Sequence, residues 1–109
     1  MKIKKFLLIL IISLLLNTQK SFADEAKMTM GLEIFNEVAG CAACHVLKAA
    51  GSEGNIGPNL DTVEGLNYDS VMDIVTHGLG VMPAFGEDEI LTKEEIDIVS
   101  FYVSNSVSK

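Results

Sequence analysis

The sequence predicts a small all-α fold of three to four helices joined by long loops. Apolar residues recur at helical spacing in three segments. Two of those segments open on a side chain suited to cap a helix, Asn67 and Thr92. No stretch alternates apolar and polar residues as a half-buried strand would, and glycine and proline punctuate what lies between the helical segments.

The start of the chain is a separate unit. Lys2, Lys4 and Lys5 give a positive beginning, and Phe6 to Leu16 is apolar but for Ser13. A polar stretch, Asn17 to Lys20, leads to Ser21-Phe22-Ala23, with small residues at the two positions a signal peptidase reads. This is the layout of a secretory signal peptide, with cleavage expected between Ala23 and Asp24. The rival, an uncleaved membrane anchor, needs ~20 apolar residues to span a bilayer, more than this run supplies. The expected organisation is a signal peptide, residues 1–23, and one exported, periplasmic domain, residues 24–109. A domain of that size buries only ~60–65 % of its unfolded surface and usually needs a staple.

Within the domain, Met28, Leu32, Phe35 and Val38 form the first helical stripe, ended by Ala39-Gly40. Lys48 to Thr62 is loop-like, with Gly51, Gly54, Gly57 and Pro58. Asn67 caps a helix from Tyr68 to about His77, with Val71, Ile74 and Val75 inward and Gly78 as its stop. Gly78 to Gly86 is an extended loop containing Met82-Pro83. Thr92 and Glu95 form a capping box that opens the last helix, with Ile96, Val99, Phe101, Tyr102 and Val103 on or near its buried face.

Charge narrows the partners. Residues 24–109 keep Lys27, Lys48, Lys93 and Lys109, no arginine and all fifteen acids, a formal charge of −11. Nucleic acid is excluded, because a phosphate backbone requires a basic footprint. An anionic membrane surface is disfavoured on the same ground, and stable insertion of the mature chain is not expected. The acidity either steers a partner with a basic docking surface or serves solubility. The run Glu87-Asp88-Glu89 with Glu94, Glu95 and Asp97 is a docking patch or a solvated loop followed by acids that suit a helix N-terminus.

The chemistry concentrates in Cys41-Ala42-Ala43-Cys44-His45. C-x-x-C-H is the attachment pattern for a c-type haem. Two thiols on one turn of backbone can each add to one vinyl group of a single porphyrin, and the next residue, a histidine, then lies under the iron. A disulfide across so short a loop would stabilise little and would leave His45 unexplained. A covalently held haem also supplies the staple. For the sixth ligand, Met82 lies on a loop bounded by glycine and stiffened by Pro83, far enough along to reach the opposite haem face. Met28, Met30 and Met72 lie in helical stripes and suit core filling. His77, the other histidine, fits a surface position at a helix C-terminus; its rival role is bis-histidine ligation.

On these motifs the chain resembles the class I c-type cytochromes over nearly all of residues 28–106. Cys41-Ala42-Ala43-Cys44-His45 matches the haem-binding motif, and Gly80-Val81-Met82-Pro83-Ala84-Phe85 matches the methionine-ligand loop. Ile56-Gly57-Pro58-Asn59-Leu60 matches the loop whose proline carbonyl accepts a hydrogen bond from the proximal histidine and whose leucine packs on the ring. Gly31, Phe35 and Tyr102 look like the family's crossing of first and last helices. The resemblance implies a small cytochrome c fold around one covalent haem c. His45 and Met82 would be its iron ligands, and Cys41, Cys44, Pro58, Leu60 and Phe85 would complete the cofactor site. Phe35 precedes Cys41 by more residues than in many members, so either the first helix ends differently or Val38 takes part of its role. The chain lacks the tryptophan and arginine that often hold the haem propionates, and Tyr68, Asn67, Thr62 and Lys48 are the substitutes on offer.

The implied function is periplasmic one-electron transfer, not enzymatic turnover, by a monomer or a subunit of a heteromeric complex. An apolar ring of Ala42, Val81 and Phe85 around the haem edge would meet redox protein partners. The alternative is a cytochrome subunit tightly bound to a periplasmic dehydrogenase; Ile56–Leu60 and Gly80–Phe85 resemble such subunits of sulfite dehydrogenases. A haem-based peroxidase or sensor needs an open iron position, which Met82 argues against. A thioredoxin-like use of the cysteines would need a βαβ pattern. A zinc site would need adjacent Cys44 and His45 on one tetrahedral ion.

Overall fold

The computed structural model describes residues 2–107. Met1, Ser108 and Lys109, at the outer bounds of the expected signal peptide and domain, lie outside the described residues. Three α-helices dominate: α1 (Lys2–Glu33), α2 (Tyr68–His77) and α3 (Lys93–Ser106).

The first helix differs from expectation. It is continuous from Lys2, where the sequence places a helix beginning at Met28. Neither glycine nor proline interrupts residues 2–30, and the polar stretch does not break it. Asn17 and Thr18 turn their side chains back to the carbonyls of Ser13 and Leu14, both at 3.0 Å, a way for such residues to stay helical. Residues 2–26 are exposed throughout. The helical stretch Lys2–Val38, with mean hydropathy 1.7 in its most apolar window, is long and apolar enough to cross a membrane. An N-terminal signal sequence meets the same description.

The helix ends in a π turn, Ile34–Val38. A π turn inserts an extra residue and rotates the positions after it. Val38, placed inward by the sequence pattern, is therefore 51 % exposed, while Ile34, at the start of the turn and on the face of Gly31, is buried. Leu32 likewise faces outward, and Val38 does not share the role of Phe35.

α1 and α3 cross at Gly31. A Cβ there would lie 2.2 Å from the Cβ of Tyr102, so only glycine allows this approach. Beside it the Phe35 and Tyr102 rings meet tilted, with centroids 6.1 Å apart. Ile34, Phe35, Val71, Val75, Phe85, Leu91, Ile96, Ile98, Val99, Tyr102 and Val103 form the core with Leu47. A polar tie supplements it outside. Asp97 on α3 accepts from the Lys27 ammonium at 3.0 Å and from the Tyr68 hydroxyl, linking all three helices. That bond pushes the Tyr68 pKa up to about 12.

Both caps foreseen in the sequence form with full reciprocity: Asn67 with Ser70, and Thr92 with Glu95. Between α1 and α2 the chain departs from pure loop. Val46–Leu47 and Ser52–Glu53 pair antiparallel across a 3-10 turn, Lys48–Ala50. Strands of two residues are too short to show a period, so the sequence held no sign of them.

Candidate haem site

Gly40, at φ 68°, turns the chain out of the π turn into a 3-10 turn, Cys41–Ala43. The Cys41 carbonyl accepts from the Cys44 and His45 N–H groups at 3.1 and 2.9 Å. Cys41, Cys44 and His45 thus share one tight turn, and both thiols are free and half-buried. Burial pushes the Cys41 thiol up to about 11. A reactive redox thiol needs a lowered pKa, so Cys41 is not poised as one.

The next loop folds back over this turn. Gly57 N–H donates to the Cys44 carbonyl at 2.7 Å, and Leu60 N–H donates to the Val46 carbonyl at 3.0 Å. Between these two ties, His45 Nδ1 lies 2.7 Å from the Pro58 carbonyl oxygen. A carbonyl only accepts, so Nδ1 carries the proton and Nε2 keeps its lone pair. The ring is fixed in the tautomer that presents Nε2 as a metal ligand.

Close packing holds the ring in place. A Cβ on Gly57 would lie 2.6 Å from His45 Cε1, and one on Gly54 would lie 2.6 Å from the Ala42 carbonyl oxygen. Ser52, buried, accepts from the Leu47 N–H at 2.9 Å and donates to the His45 carbonyl at 2.8 Å. Ser52 and Gly54 escaped sequence reasoning as parts of the site: Gly54 was visible only as loop punctuation, and Ser52 carried no signal. Gly57 stood in the matched Ile56–Leu60 loop, but with no role of its own.

Met82 and Phe85 sit on a second loop, after α2. The Thr76 carbonyl accepts from both Gly86 and Glu87 N–H, at 3.2 and 3.1 Å, and closes its neck. Leu79 and Met82 exchange backbone bonds at 3.3 and 3.0 Å, so the loop is a tight turn and not an extended stretch. Gly78, at φ 75° and ψ 172°, is pressed against the loop backbone; a Cβ there would lie 2.7 Å from the Met82 carbonyl oxygen. Met82 is half-buried and packs against the core, as do Cys41, Ala42, Leu60, Leu66 and Met72.

Phe85 requires a correction as a surface contact. It is only 8 % exposed and belongs to the core, while Val81 stands 91 % exposed. The Phe85 carbonyl accepts from Ile90 and Leu91 N–H, which turns its side chain inward with Leu91. Three of the suggested propionate partners are committed elsewhere. Tyr68 donates to Asp97, Asn67 caps α2, and Thr62 donates to the Asn59 carbonyl. His77 is exposed at the end of α2, as its sequence position suggested, with Nδ1 2.6 Å from Glu87 Oε1. Among the described residues no three His, Cys, Asp or Glu side chains gather as a metal cluster.

The residues present fit a c-type haem by the chemistry of the donor set. Two thiols share a turn with an imidazole of fixed tautomer, and a soft thioether stands on a separate loop against the same apolar core.

The family model described as cytochrome C oxidase, cbb3-type, subunit III, matches residues 26–103. The chain is similar to the chloroplastic cytochrome c6 of Chlamydomonas reinhardtii, with 33 % identity over 100 residues. That match takes in 84 % of this chain and 62 % of the relative, so the chain spans less than two thirds of the relative's length. It is also similar to the crystal structure of the c-type cytochrome SorU from Sinorhizobium meliloti, at 45 % identity and a TM-score of 0.69, covering 78 % of this chain and 95 % of that one. The chain belongs to the family of that model and is a small class I c-type cytochrome.

Proposed function

We propose that this protein carries electrons singly, on one haem joined through Cys41 and Cys44, with His45 and Met82 as the iron ligands. The observation that carries this reading is the bond from His45 Nδ1 to the Pro58 carbonyl at 2.7 Å, which leaves Nε2 as the donor. The haem, when bound, supplies a one-electron couple, and methionine–histidine ligation raises its potential. Pro58 and Gly57 keep the imidazole from turning as charge changes, and Leu60 and Phe85 supply apolar surface that keeps water away. The glycine-bounded turn of residues 78–86 presents Met82. With His45 and Met82 both committed to the iron, a haem held here would leave no position for a small substrate, which favours a carrier over an enzyme.

Export fits the N-terminal apolar helix, with cleavage after Ala23 and function in the periplasm. The partner is a redox protein with a basic docking surface, met through exposed Val81 and half-buried Ala42. Steering of this kind gains roughly 10–10³ in rate and fades with salt.

Co-expression with haem-maturation machinery tests the reading. The purified protein should be heavier by one haem, keep its haem stain on a denaturing gel, and titrate reversibly as a single-electron couple. A colourless protein with both thiols free would overturn it.

A further inference from the structure

The neck of the Met82 loop carries a side-chain contact beside its backbone ties. His77 is the last residue of α2, and Glu87 lies on the far side of the loop, with Met82 midway between them in sequence. His77 Nδ1 lies 2.6 Å from Glu87 Oε1, and Nε2 lies 3.7 Å from Asp73 Oδ1 one helical turn back. Asp88 lines the same cleft, which His77, Met82 and the residues between them also line. The imidazole therefore meets carboxylates from its own helix and from the loop, and its bond to Glu87 spans the gap that the loop must widen to move. Gly78, next to His77, touches the backbone from Met82 to Ala84, so the neck and the methionine are in direct mechanical contact.

We propose that His77 and Glu87 are positioning residues, a clasp across the neck of the loop that holds Met82 more firmly while His77 is protonated than after it loses its proton. This rests on the reading of Met82 as an iron ligand. The hydrogen bond to Glu87 raises the His77 pKa above its ordinary 6.5. A group raised in this way contributes its full tie below the unfolded value, and the contribution is lost as pH rises through the folded value. The neutral ring can still donate to Glu87, but the charge that strengthens the bond is gone.

The test is azide binding to the ferric holoprotein, because azide must displace the methionine and stays anionic across the range studied. His77→Gln and Glu87→Gln are compared with the wild type. Both variants should bind azide faster at about pH 6, by about two- to fivefold, the size an exposed ion pair supports, and that excess should shrink as pH rises and His77 loses its charge. The two substitutions change net charge in opposite directions, so opposite effects on the rate would mean simple attraction of the anion and would overturn the clasp. Ratios to wild type that stay near one, or do not change with pH, would overturn it also. Met82→Ala is the control. If it leaves azide binding unchanged, the ligand reading fails and the clasp with it. If it accelerates binding while the clasp variants do not, the clasp alone fails.

Discussion

The two loops that would face each other across the haem are built differently. The histidine side is held by redundancy. Backbone bonds from Gly57 and Leu60, the Ser52 hydroxyl and the Pro58 carbonyl all act within one short stretch around the His45 ring. The methionine side is one turn closed at its neck by the Thr76 carbonyl and an exposed His77–Glu87 contact. Its tip is held by a mutual Leu79–Met82 pair. One side fixes a ring tautomer and orientation, and the other presents a flexible side chain on a turn closed at its neck.

Each side depends on a glycine, and the glycines meet different things. Gly78 touches loop backbone and occupies a region of φ and ψ essentially open only to glycine. Gly78→Ala should therefore cost about 3 kcal/mol from strain and overpacking together. Thermal melts of the holoprotein should show the loss, together with a weakened far-red sulfur-to-iron band. Gly57 touches a ring that Pro58 holds. Gly57→Ala should cost about 1–3 kcal/mol by overpacking and should shift the reduction potential while sparing that band. If both variants perturb the band equally, the two sides are not independent.

Ser52→Ala probes the redundancy. It leaves the His45 carbonyl and the Leu47 N–H without their buried partner, at a cost of about 1–2 kcal/mol in denaturant unfolding. The smallest effect belongs to the outer tie. Hydrogen bonds from Tyr68 and Lys27 lower the Asp97 pKa below its ordinary 3.8. The stability from this tie is present above that unfolded value and is lost as pH falls through the lower folded one. Both members of the Lys27–Asp97 pair are more than a third exposed. Asp97→Asn should thus cost under about 1 kcal/mol at neutral pH and flatten the acid limb of the stability profile.

Legibility in the sequence tracked the locality of the cause. The capping boxes at Asn67 and Thr92 are decided within four residues, and α2 and α3 lie where the pattern put them. The approach of Gly31 to Tyr102 was visible through resemblance to a known helix crossing. Val38 was misplaced because a π turn shifts the helical period, and no composition rule announces such a turn. The long continuous α1 was not anticipated because residues 1–23 read as a separate signal peptide; Asn17 and Thr18 there bond to their own helix. In the site, Cys41, Cys44 and His45 were legible because their spacing is the mechanism. Ser52 and Gly54 were not, because their roles arise only when one loop closes on another.

The central claim is that the chain supplies both iron ligands, His45 from the multiply tied side and Met82 from the turn closed at its neck. The most direct measurement is the optical spectrum of the ferric holoprotein in the far red, taken for the wild type, Met82→Ala and His77→Ala. The account predicts a sulfur-to-iron band in the wild type and in His77→Ala, and its loss in Met82→Ala together with a lowered potential and new binding of carbon monoxide to the ferrous iron. A wild-type spectrum without that band, and a spectrum that changes on His77→Ala instead, would contradict it.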